Sequence, residues 1–250
     1  MTDNRPADVQ AKVEAAREEL TVFVPDTRGV TLSRWGKGNT KLGPDVYTYS
    51  RLPGRAYTCP GSTDECEHIC YAKRVVEEHG IVQLIWTANS GSDEVPSELP
   101  PGAKIVRFHV SGDFDTVEYI YQWTELTDHY PWVRFFGYTR SWRVPELLPA
   151  LERLRGRYNV QLFASMDKSM TELPPKGWRR AWLEDDLRAF ANGHISPHNG
   201  FSVALAGDAD TFFPAQPSLV CPEETGRKAS CQACRYCIDG QRGDVVFLLH

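Results

Sequence analysis

The sequence lacks three things that would narrow its role at once: a secretory leader, a membrane span and an excess of positive charge. Its first twenty residues, MTDNRPADVQAKVEAAREEL, are charged throughout and contain no apolar signal-peptide core. No run of about 18 apolar residues occurs anywhere, so no membrane partner and a cytoplasmic location are expected. The 28 Lys and Arg residues are outnumbered by 33 Asp and Glu, for a formal net charge of -5. The surface as a whole therefore has no field that draws it onto nucleic acid or anionic lipid. A disulfide framework is excluded as well, because the seven cysteines are odd in number, tightly spaced and without a secretion signal.

What remains is a chain of 250 residues, 41% hydrophobic and 24% charged, enough to bury a substantial α/β core. Val9, Val13, Ala16 and Leu20 recur at helical spacing and predict an amphipathic N-terminal helix. Residues 27–60 are broken by Gly29, Gly36, Gly38, Gly43 and Gly54, with a short strand-like run at Val46 to Ser50. Tyr71 to Asn89 reads as helix, interrupted at Gly80. The division expected is an N-terminal helix and loop/strand region over 1–60, and a barrel-like domain over 61–250.

The middle of the chain is the most regular. KIVRFHV (Lys104 to Val110), VRFFGY (Val133 to Tyr138) and Val160 to Ala164 read as strands, with helices at Thr116 to His129 and Val144 to Arg155 between them. From Asp113 to Ser141 to Ser169 the interval is 28 residues each time, the length of a βα unit. Trp178 to Phe190 reads as another helix, FSVALA (Phe201 to Ala206) as a buried strand, and Asp244 to His250 as a closing strand. The fold class expected is α/β, a partial or full (β/α) barrel-like parallel sheet with cysteine-rich metal-binding loops. Such a sheet gathers the loops after its strands at one mouth. Asp113, Thr139, Arg140, Ser141, Ser165, Asp167, Lys168, Ser169 and Asp208 should meet there.

The cysteines fall into two groups. In TCPGSTDECEHICYAK, Cys59, Cys66 and Cys70 are separated by six and three residues. Three thiolates can hold three corners of a [4Fe-4S] cube and leave one iron open, whereas zinc would take His68 or a remote fourth ligand. In CPEETGRKASCQACRYC, Cys231, Cys234 and Cys237 follow the C-x2-C-x2-C spacing of bacterial ferredoxin loops, and Cys221 precedes a proline as the remote cysteine does there. Zinc is the alternative metal here too. Arg227, Lys228, Arg235 and Arg242 stand ready to offset the charge of thiolate-bound metal. One or two [4Fe-4S] clusters are expected.

NTKLG (Asn39 to Gly43), TCPGSTDEC leading to CYAK, VRFHVSGDF, YTRS and the terminal CPE with SCQACRYC together resemble the phage gene-product-88 family over about residues 35 to 240. The resemblance implies a phage origin, and with it the host cytoplasm. A more distant likeness is to radical S-adenosylmethionine enzymes, which carry a three-cysteine [4Fe-4S] loop at the mouth of a partial barrel. That likeness implies S-adenosylmethionine as a cofactor, with Tyr71 beside the last cysteine and Ser111 and Gly112 of the SGD segment on the cofactor. The x6 then x3 spacing and the lack of a GGE segment depart from those enzymes.

Two functions follow. One is a redox or radical enzyme with an open cluster and a small-molecule substrate, oriented by Asp113, Arg140 and Lys168, with His109 as proton donor or ligand. Strand alternation places His109, Ser111 and Asp113 on one face, pointing into the barrel. The other is a non-catalytic, metal-stapled protein that docks a host protein through Trp142, Trp178 and Trp182, although burial of these tryptophans in the core is the commoner outcome. WRRAW (Trp178 to Trp182) interleaves basic and aromatic groups and keeps nucleic acid open as a partner.

Overall fold

The computed structural model of the chain describes residues 7, 11–12, 14–15, 34–78, 80–90, 95–184, 219–240 and 243–248. Of the N-terminal helix, the described residues 7, 11, 12, 14 and 15 are helical. Two short strands, β1 (Gly36–Lys37) and β2 (Val46–Tyr49), lead into helices α1 (Asp64–His68), α2 (Tyr71–Glu78) and α3 (Gly80–Asn89). The central units follow as β3 (Ile105–Phe108), α4 (Val117–His129), β4 (Arg134–Thr139), α5 (Leu148–Arg155) and β5 (Val160–Met166). Then come β6 (Arg179–Glu184), β7 (Leu219–Val220), α6 (Cys231–Cys234) and β8 (Val245–Leu248).

Among the described residues the strands form one sheet in the order β1-β2-β3-β4-β5-β6-β8-β7. Only β1 pairs antiparallel, with β2, and every other described pair is parallel. The edges β1 and β7 do not pair with each other among the described residues, so the described sheet is open and the expected barrel is not seen to close. The FSVALA strand and Asp208 lie outside the described residues.

Strand alternation builds two different faces. Val106, Phe108, Phe135, Val160, Leu162, Ala164, Met166, Trp182 and Val246 join one core with Tyr119, Ile120 and Trp123 of α4 and Leu151 and Leu154 of α5. The opposite, inner face carries Val46, Ile105 and Phe136 against Leu42 and Ile238, and Phe163, Ala181 and Val245 against Cys221. A strand apolar on both faces is what a sheet covered on both sides requires. Thr116 starts α4 by accepting the Tyr119 N–H at 3.1 Å, a side-chain N-cap.

Two expectations fail here for physical reasons. Trp178 to Phe190 does not begin a helix, since residues 179–184 are β6. Ala181 packs on the inner face and Trp182 on the helix side, and Arg180 is fixed by Asp244 at 2.6 Å, so tertiary burial overrides local helix propensity. His109 does not point to the inner face. The strand ends at Phe108, His109 takes a φ of 43°, and its ring turns into the helix-side core against Phe114 and Trp123 with Nε2 2.7 Å from the Tyr119 hydroxyl.

Candidate metal centres at the sheet

The first cysteine group is seated on the carboxyl ends of β3, β4 and β5. Its loop comes so close to β4 that a Cβ on Gly61 would lie 2.1 Å from the Arg140 carbonyl oxygen. Arg143 fastens the same glycine by donating Nη1 to its carbonyl at 2.8 Å. Thr63 then caps α1: its hydroxyl accepts the Cys66 N–H at 3.0 Å and donates to Asp167 Oδ2 at 2.7 Å. Arg140 closes the network, with Nη2 2.9 Å from the same Asp167 oxygen and Nη1 2.9 Å from Ser165 Oγ. Burial pushes the Cys66 thiol up to about 11, against the Arg140 charge, which draws it down. Cys59 is pushed up further, by burial and then by the Asp113 carboxylate. Asp167 is held below its ordinary value because bonds from Ser169 and Thr63 and the Arg140 charge outweigh its burial.

Asp113 is buried at the same mouth. Its carboxylate accepts the Arg140 N–H at 2.7 Å and the Phe114 N–H at 2.8 Å, yet burial still raises it to about 6. Ser111 and Gly112 are bound into the frame: Ser111 donates to the Arg51 carbonyl at 2.8 Å, and a Cβ on Gly112, at φ 80°, would meet Arg51 and Thr58 at 2.7 Å. Tyr71 is half exposed and donates to the Val110 carbonyl. Lys168 is exposed, 3.6 Å from Glu65. The structure thus brings Asp113, Thr139, Arg140, Ser165, Asp167 and Ser169 together, and leaves His109 behind on the helix side.

The second group covers the inner face. Cys221, Cys231, Cys234 and Cys237 line a single cavity of about 20 Å³ with Tyr138, Tyr236, Ile238, Val245 and Phe247. Its segment is clasped to the start of the sheet: the N–H groups of Cys231 and Gln232 donate to the carbonyls of Lys41 and Leu42 at 2.8 and 3.0 Å. Ser230 caps α6 through the Ala233 N–H at 3.1 Å, and Arg235, left-handed at φ 58°, turns the chain back so that Cys237 rejoins the cavity. Burial raises Cys231 to about 11 and Cys237 to about 12, opposed by Arg107 at the first and by the Tyr138 hydroxyl and Arg179 at the second.

Four thiols around one cavity are the donor set of a closed tetrathiolate centre, and three at the strand ends suit a centre with one open position. Among the described residues no three His, Cys, Asp or Glu side chains are drawn to a common point as a ready-made ion site, so the thiols line these places without converging. The basic residues near the second group are not the expected ones: Arg235 is paired with Asp239, and Arg227 and Lys228 are exposed. Arg242 lies outside the described residues. Trp142, Trp178 and Trp182 are all buried, which removes them as a docking surface. Both arginines of WRRAW are engaged in the fold, Arg179 at Gly243, Gln161 and Tyr236, and Arg180 at Asp244.

Sequence reading missed Arg51. It is fully buried, paired with Asp115, donates Nε to the Asn89 carbonyl at 3.0 Å, and lies 4.1 Å from the Tyr119 ring centroid. An arginine in the glycine-broken stretch before a cysteine loop carries no signal that would separate it from surface charge.

No described helix is long and apolar enough to cross a membrane. No solved structure matches the chain. Similar proteins are the gene 88 protein of Mycobacterium phage L5, 23% identical with 95% of this chain and 98% of the relative covered, and that of Mycobacterium phage D29, 24% identical with 90% and 92% covered. The family described as gene product 88 matches residues 28–240, and on this match across most of its length the chain belongs to the gene product 88 family.

Proposed function

We propose that this phage-family protein binds iron–sulfur clusters, one held by Cys221, Cys231, Cys234 and Cys237 on the inner face of a barrel-like sheet, the other by Cys59, Cys66 and Cys70 at the strand ends. The observation that carries the reading is the gathering of all four cysteines of the second group around one cavity on the inner face. A bound cluster supplies redox chemistry or an open iron. The chain's own groups at the mouth would then position a small substrate or S-adenosylmethionine. Arg140 holds positive charge beside Cys66, Asp113 supplies a buried carboxyl, and Thr63 fixes the backbone that carries Cys66.

A second reading has one observation in its favour. The four thiols that line the inner cavity are equally the donor set of a tetrahedral zinc ion, which favours zinc as a structural staple. The protein would then act by docking a host protein, for which Trp132 and Tyr158, 72% and 70% exposed, are the most exposed aromatics among the described residues. Iron, sulfide and zinc content of anaerobically purified protein separates the two. Iron near four or eight per chain, lost in part in Cys66→Ser and in part in Cys234→Ser, is the expected result; a spectrum altered by S-adenosylmethionine assigns that cofactor to the mouth. Zinc without iron or sulfide overturns the cluster reading in favour of the staple.

A further inference from the structure

We infer that Arg107 and Arg179 are the counter-charges of a doubly negative tetrathiolate centre at Cys221, Cys231, Cys234 and Cys237. The inference rests on the metal-centre reading above and adds the charge for which the site is built.

Both guanidiniums are half-buried and stand on aromatic rings of the cavity wall. Arg107 lies 5.3 Å from the ring centroid of Tyr138, two residues along β4 from its register partner Phe136, and Arg179 lies 5.3 Å from that of Tyr236. Arg179 donates only to neutral acceptors, the Gly243 carbonyl at 3.1 Å and the Gln161 side chain and Tyr236 carbonyl at 3.2 Å each. Arg107 keeps a buried Nε–H with no hydrogen-bond partner. Of the other described cations close to the cysteine segment, Lys41 has the carboxylates of Glu224 and, at 3.7 Å, the cavity-lining Glu223, Arg235 has that of Asp239, and Arg227 and Lys228 are exposed to solvent. Among the described residues Arg107 and Arg179 have no carboxylate partner.

A half-buried guanidinium without an anion carries a desolvation cost that ring contacts and neutral hydrogen bonds offset in part and an opposite charge offsets further. The cavity's carboxylate, Glu223, lies on Lys41, and two of its sulfurs feel the guanidiniums, Cys231 that of Arg107 and Cys237 that of Arg179. Four thiolates carry four negative charges, a zinc ion or an oxidised [4Fe-4S] core returns two positive ones, and the two left over match two guanidiniums. The four sulfurs and two guanidiniums are together neutral with metal and doubly positive with four thiols, so the pair of arginines favours the loaded, deprotonated site whichever metal fills it.

The test is metal release from the anaerobic full chain to the chelator 4-(2-pyridylazo)resorcinol, with Cys234→Ser reporting the first group alone. Arg107→Met and Arg179→Met should each release the inner-face metal about tenfold faster, while the charge-keeping Arg107→Lys stays near wild type. If the metal is iron, the midpoint potential in a dithionite titration should fall in both Met variants, by about 59 mV for a tenfold shift in a one-electron equilibrium, because removal of a positive charge disfavours the added electron. Met variants with full metal content and wild-type release overturn the charge-balance inference. Equal metal content in wild type and Cys234→Ser overturns the underlying reading instead.

Discussion

The two cysteine groups meet the same sheet in opposite chemical surroundings. Cys59, Cys66 and Cys70 stand in a polar lattice in which Thr63, Asp167, Arg140 and Asp113 bind one another across the strand ends. Cys221, Cys231, Cys234 and Cys237 stand among Tyr138, Ile238, Val245 and Phe247, with unbalanced guanidiniums at the margin. The first place is held in orientation by a hydrogen-bonded network, whereas the second is walled by apolar and aromatic side chains. The difference comes from where each segment touches the sheet, since strand ends offer backbone groups and loop polars while the inner face offers only alternating side chains.

Three perturbations at the first group sharpen or break this contrast and one at His109 probes the core behind it, in falling order of effect. Arg51→Met removes the fully buried guanidinium that pairs with Asp115 and should cost about 3–5 kcal/mol, read as a lower midpoint in urea unfolding. Gly61→Ala forces the loop off the Arg140 carbonyl and should cost about 1–3 kcal/mol. Metal content should then fall at the first group and hold at the second; equal loss at both would erase the distinction between them.

His109 tests the helix-side core, apart from either group. Burial, then the charges of Arg51 and Arg107, hold its folded pKa well below the usual histidine value. A depressed pKa contributes stability that is complete above the unfolded value of about 6.5 and is lost as pH falls toward the folded one, at up to about 1.4 kcal/mol per pH unit. His109→Asn, which tolerates the left-handed backbone, should flatten the dependence of unfolding free energy on pH below about 6.5. Lys168→Ala should change stability by less than about 0.5 kcal/mol, because its exposed pairing with Glu65 is weak; a loss of ligand binding in that variant would place Lys168 at the mouth by function.

Much of this arrangement could be read before any coordinates. The 28-residue interval between Asp113, Ser141 and Ser169 marked the βα units because each strand hands over to polar residues at the same end, and Asp113 and Ser169 are linked there through Arg140 and Asp167. The helix-side turn of His109 could not be read, since alternation holds only while the strand lasts and the reversal depends on one positive φ. Nor could β6, whose sequence acquires strand conformation from Asp244 and from burial on both sides. Arg51 and the two inner-face arginines are invisible for a related reason: an arginine's role is set by which charges lie nearby in space, and the sequence of a parallel sheet separates those neighbours by whole βα units.

The clasp between residues 41–42 and 231–232 has a consequence for the order of events in synthesis. The segment that covers the inner face leaves the ribosome after β1 to β6 have been made, and its backbone partners wait beside the first of those strands. Until then Phe136, Phe163 and Ala181 lack their cover, and a chain cut short before Cys221 would present that face to its neighbours. Completion of the last cysteine loop is therefore the step at which a nascent, adhesive sheet becomes a protein that can tolerate its own company.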